Sequence, residues 1–212
     1  MISHVHQALE QVRTIHLHIL EKQRFKGYSG RARAASGCLA LAAGFWLSER
    51  KDPGRVAVPV WLTVALVCVA VNYGAVVLWF LGESADGRQA SRLKPVIEVL
   101  PALFAGSVLT FGLWQAGVPD LLPPTWMLLF GVANVSSRHV LPKGIGWVGA
   151  YYLVAGSVLM LGAPRIGLAN PWPMALVFLV GEWLGGLILH FDGAGRRHWI
   201  SFWGANQGEE KP

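Results

Sequence analysis

Charge is scarce in this sequence. Asp, Glu, Lys and Arg make up 14% of its 212 residues, where an ordinary soluble domain carries about 25%. So little charge cannot solvate a conventional globular surface, which turns attention to lipid. Cysteine is scarcer still: the two thiols, Cys38 and Cys68, form no CxxC. That excludes thiol-rich metal centres and paired redox cysteines, and leaves both residues as small packing groups. No GxSxG, HExxH or GxxxxGK[ST] occurs, and no acidic metal-binding run. The hydrolase, zincin and P-loop chemistries that depend on those spacings are therefore unsupported. The seven histidines include His4–His6 and His16–His18 but no i, i+4 pair. Residues two apart point to opposite sides of a helix, so neither pair chelates one ion. No cofactor and no metal is expected.

What is abundant is apolar sequence: 53% hydrophobic residues, with 10 Trp and 25 Gly. Six apolar stretches lie between Arg33 and His190, at about 32–47, 56–80, 95–114, 121–136, 145–161 and 171–190. A bilayer core of about 30 Å needs about 20 such residues in a helix. Trp suits interfacial belts and Gly suits close helix approach in lipid. The expected fold is all-α: a polytopic membrane protein built as a six-transmembrane-helix bundle, residues 31–192. Residues 1–30 form an N-terminal amphipathic cytoplasmic helix and connector, and 193–212 a cytoplasmic tail. No cleavable signal peptide is expected, because Glu10 and Glu21 interrupt the first 24 residues.

Six spans with the N-terminus inside place fourteen basic residues on the inner side and four outside, the latter being Arg50, Lys51, Arg55 and Arg165. Positive-inside bias puts both termini in the cytoplasm. In this count Arg33 belongs to the inner flank. The same basic charge is dispersed over loops rather than gathered, so nucleic acid is not an expected partner; the lipid bilayer is.

Ile2, Val5, Leu9, Val12, His16 and Ile19 step by alternating threes and fours, which is one apolar helix stripe. Residues 1–24 are thus a candidate homo-oligomer or protein-partner contact, a helix lying on the membrane surface, or a lid on the protein's own loops.

Ionisable and polar residues inside spans carry the functional expectations, because lipid makes them expensive. Glu182 lies near the middle of the last span, and Glu98 in the first turn of the third. Asn72 and Tyr73 sit in the inner half of the second, and Asn134 in the inner half of the fourth. Together they are candidate lining of an inward-facing polar cavity, where a carboxyl is suited to carrying a proton. The bland alternative makes Glu98 snorkel to the interface and Glu182 pack against a hydrogen-bonding neighbour. Arg138, His139 and His190 are expected at the cytoplasmic interface, where the two histidines could approach each other. Gly185 and Gly186 read as a close helix contact. There is no internal repeat of the kind many transporters carry.

Two stretches resemble a family of uncharacterised bacterial multi-pass integral membrane proteins. One is the N-terminal run ending in an F-x-G-Y element, Phe25, Gly27 and Tyr28. The other contains Trp126, Phe130, Gly131, Ser137, Arg138, Leu141, Pro142, Gly146 and Trp147, then Tyr151, Tyr152 and Gly156. The resemblance implies a bacterial cytoplasmic membrane and a shared architecture, with no catalytic residues and a hint of a regulated or sensory role. The leading expectation is a non-enzymatic sensory, scaffolding or accessory protein acting through its cytoplasmic helix. The alternative is a small-solute or proton-coupled transporter or channel around Glu182.

Overall fold

The computed structural model describes residues 28–82, 100–139, 141–166 and 168–206. Among them are six α-helices and no strand: α1 (Gly30–Ser48), α2 (Pro53–Gly82), α3 (Leu100–Gln115), α4 (Leu122–Ser136), α5 (Ile145–Ile166) and α6 (Trp172–Asn206). Local chemistry sets several ends. The Ser29 side chain caps α1 by accepting from the Ala32 N–H at 3.3 Å. Pro53, Pro123 and Pro124 sit in first turns, where a missing N–H costs nothing. Gly117 (φ 71°) ends α3 in a Schellman motif: its N–H reaches the Trp114 carbonyl, and the Val118 N–H reaches that of Leu113. Nothing comparable stops α6 at residue 190, and the helix runs on to Asn206.

Three helical stretches are long and apolar enough to cross a membrane: Pro53–Gly82, Ile145–Gly162 and Trp172–Asp192. They match the second, fifth and sixth expected spans. The other three expected spans also appear as helices but differ in kind. Helix α4 has 15 residues, about 22 Å at 1.5 Å per residue, and α3 has 16. Helix α1 is 19 residues long and carries Arg31 and Arg33 in its first turn. Large apolar side chains face outward along whole helices, among them Leu66 (71% exposed), Leu78, Phe104, Val158 and Leu161, and no residue of α3 is buried. Apolar exposure on that scale is what lipid covers. The chain is a helical membrane protein on these grounds.

Helix α1 packs chiefly on α6 and α4 on α5; α5 touches α6, α2 lies against α1, and α3 against α4. Both tight pairs close through glycine. Gly30, Gly37 and Gly44 recur every seventh residue along α1 and meet Gly186, Leu179 to Trp183, and Ala175 on α6. A side chain on Gly30 would stand 2.5 Å from the Gly186 carbonyl oxygen. In the second pair a Cβ on Gly149 would lie 2.8 Å from the Gly131 carbonyl oxygen. The glycine contact expected from Gly185 and Gly186 is thus present, Gly186 against Gly30 and Gly185 against the Arg33 guanidinium. Small residues let backbones approach and gain dispersion contacts where no hydrophobic effect separates protein from lipid. The core between the pairs holds Leu47, Trp61, Leu122, Met127 and Tyr152.

Candidate functional site

Because α1 and α6 nearly touch, whatever polar group enters their seam must be matched there. Arg33, one turn into α1, enters it. Its Nε donates to Glu182 Oε2 at 3.0 Å and its Nη2 to Oε1 at 3.1 Å, a two-pronged fit of guanidinium to carboxylate. Nη2 also donates to Asn134 Oδ1 at 2.8 Å. The Tyr152 hydroxyl donates to Glu182 Oε1 at 3.1 Å. Four helices therefore converge on one group: α1 supplies the cation, α6 the anion, α4 the amide and α5 the phenol. The Arg33 and Glu182 side chains are 10% and 7% exposed.

The surroundings explain why the group is so tightly held. The Arg33 guanidinium carbon lies 5.8 Å above the Phe130 ring. Phe130 meets Tyr152 edge-on at 4.9 Å and Phe178 at 5.7 Å. Gly185 leaves the space the guanidinium occupies, and a Cβ on Gly181 would collide with the Tyr152 ring. Two opposite charges in lipid lose hydration that only good geometry and extra hydrogen bonds can offset. Here both conditions are met: Glu182 accepts three bonds, and the Asn134 amide donates its own to the Phe130 carbonyl at 2.8 Å.

A second polar set lies beside it, between α1 and α2. Asn72 donates to Ser36 Oγ and to the Cys68 carbonyl, both at 2.9 Å, and Ser36 Oγ donates to the Ala32 carbonyl at 3.1 Å. Asn72 is thus bonded within this set rather than to Glu182. The Tyr73 hydroxyl is buried without a hydrogen-bond partner. Tyr28 sits just ahead of α1; burial pushes its phenol up to about 12, Tyr73 adds to the rise and Arg33 opposes it.

Of the residues expected to gather, the structure brings Glu182 and Asn134 together through Arg33, and places Asn72 and Tyr73 next door. Arg138 and His190 are exposed. Glu98, the apolar stripe of residues 1–24 and the side chain of His139 lie outside the described residues. Sequence reasoning missed two members. The charge count puts Arg33 with the inner flank, but it lies inside α1, where its side chain turns to the α6 seam while Arg31 stays exposed. Two arginines two residues apart on a helix point to opposite sides, so a packed helix turns one of them inward, and that is the signal the sequence offers. Tyr152 stands in an apolar run and in the second resembling stretch, and neither marks it as a partner of Glu182. Among the described residues no three His, Cys, Asp or Glu side chains gather to hold a metal ion. The cluster offers electrostatic pairing and hydrogen bonds. No known protein family, curated protein or solved structure matches the chain.

Proposed function

We propose that the chain is a six-span bundle in a bacterial cytoplasmic membrane, with both termini in the cytoplasm, and that it is a non-enzymatic sensory or scaffolding protein working through its cytoplasmic helix. The observation that carries this reading is the engagement of Glu182: a carboxylate bonded by Arg33 and Tyr152 within a glycine-tight seam is built to hold helices together, and a carrier carboxylate needs access and freedom to move. The stripe of residues 1–24 then supplies the surface for a partner or a second copy.

Three measurements test it. A reporter active only in the cytoplasm should be active when fused after Pro212 and silent when inserted in the 49–52 connection; the reverse pattern overturns the orientation drawn from basic residues. Deleting residues 1–24 should leave an insertable bundle and reduce the oligomer or partner complex measured by size in detergent. The same purified chain in vesicles should pass no protons or solutes. Flux that disappears in Glu182→Gln would instead establish the transporter reading, for which the intramembrane charge pair is the favouring observation.

A further inference from the structure

One face of α1 is turned away from the bundle and shaped by its sequence. Cys38 and Ala42, both small and exposed, form the floor of a groove of about 770 Å³. Phe45, Trp46 and Trp172 rise beside it. At the Ser48 end the walls become charged, with Glu49 and Arg50 adjacent at its mouth. The Arg50 guanidinium is stacked over the Trp46 ring, its carbon 3.8 Å from the ring centroid.

Length and charge together select an occupant. From Cys38 to Ser48, where α1 ends, is 10 residues of chain, about 15 Å along a helix. Half of a bilayer core is about 15 Å, so the groove is as long as one leaflet's hydrocarbon. Its polar end coincides with the C-terminus of α1, where carbonyl dipoles favour a cation. Glu49 adds a carboxylate there, and Arg50 beside it offers a planar donor suited to phosphate. Trp46 holds the guanidinium at the depth where tryptophan belts lie.

The geometry points to a specific phospholipid site: one lipid of the leaflet at the α1–α2 connection, its acyl chain on Cys38 and Ala42, its phosphate on Arg50 and a primary ammonium headgroup on Glu49 and the end of α1. The site rests on the membrane-spanning reading above, but not on the scaffolding role. A primary ammonium donates hydrogen bonds to Glu49. A quaternary ammonium cannot, and an uncharged glycerol headgroup brings no cation to the carboxylate.

The test is native mass spectrometry of the full chain in detergent, titrated separately with phosphatidylethanolamine, phosphatidylcholine and phosphatidylglycerol. Phosphatidylethanolamine should bind about tenfold more tightly than either of the others. Arg50→Ala should weaken it by about tenfold, through the lost phosphate contact. Ala42→Trp should abolish binding by filling the floor. Glu49→Gln should bring phosphatidylethanolamine down to the level of phosphatidylcholine and leave phosphatidylcholine unchanged. Arg50 and Ala42 are exposed, so neither change should alter thermal stability, which is measured alongside. Equal affinity for the three lipids, or full binding by Ala42→Trp, overturns the site and leaves the membrane reading intact. A chain that stays in the aqueous phase without detergent overturns both.

Discussion

Replacing Arg33 with leucine should cost about 3–5 kcal/mol of stability, the loss typical when one member of a buried ion pair is removed. The cost comes less from the bonds that vanish than from the Glu182 carboxylate left in a seam without water. Three acceptor contacts are built around that carboxylate, two of them from Arg33. Glu182→Leu should cost a similar amount for the mirror reason, since Arg33 then faces only Asn134 and the Phe130 ring. The double variant Arg33→Leu, Glu182→Leu is expected to recover most of the loss, because paired apolar replacements of a buried ion pair are often near neutral. Unfolding of the three variants in a denaturing-detergent titration completes the cycle. Additive losses, with no recovery in the double variant, would show that the two side chains act separately.

The seam itself gives the second large effect. Gly186→Leu should destabilise the bundle by about 2–3 kcal/mol, within the range for overpacking a close contact. A Cβ at Gly186 would stand 2.7 Å from the Gly30 carbonyl oxygen, and a backbone atom cannot step aside as a side-chain tip can. Relief requires α1 and α6 to separate, which also stretches the Arg33–Glu182 contact. Gly186→Leu and Arg33→Leu should therefore be less than additive. The control is Gly74→Leu on α2, where a Cβ meets nothing within 4 Å and the change should stay within about 0.5 kcal/mol. Equal stability of Gly186→Leu and the parent would mean the helices are not held at this distance.

Much of the architecture is legible in the sequence because it depends on local properties. Apolar run lengths locate all six helices in order, and the short fourth helix follows from Pro123 and Pro124 at one end and the polar residues after Val135 at the other. The Gly185–Gly186 contact is legible because glycine pairs in an apolar helix have few other uses. The importance of Glu182 is legible because lipid raises the stakes of any midspan carboxylate. Its partner is not. Arg33 lies beside Arg31 in a stretch that serves equally well as a basic flank, and only the rotation of α1 about its axis decides which arginine turns inward. That rotation is set by Gly30, Gly37 and Gly44 docking on α6, a contact between the first and the last described helices. Asn72 shows the same limit from the other side: its depth is right for Glu182, but α2 lies against α1, so its amide meets Ser36 instead.

The pairing of the first described helix with the last has a consequence for how the protein is made. Arg33 and Glu182 are 149 positions apart. At about 5–20 residues per second of synthesis, roughly 7–30 s separate the emergence of the two residues from the ribosome. Throughout that interval α1 has its glycine face open and an arginine without its carboxylate. The newborn segment must wait at the membrane surface or be sheltered by the insertion machinery until α6 arrives. A chain that stops before Glu182 carries an unmatched arginine in its first described helix. The α1–α6 seam therefore closes late in synthesis, and its closure buries the arginine and the glycine face in one step.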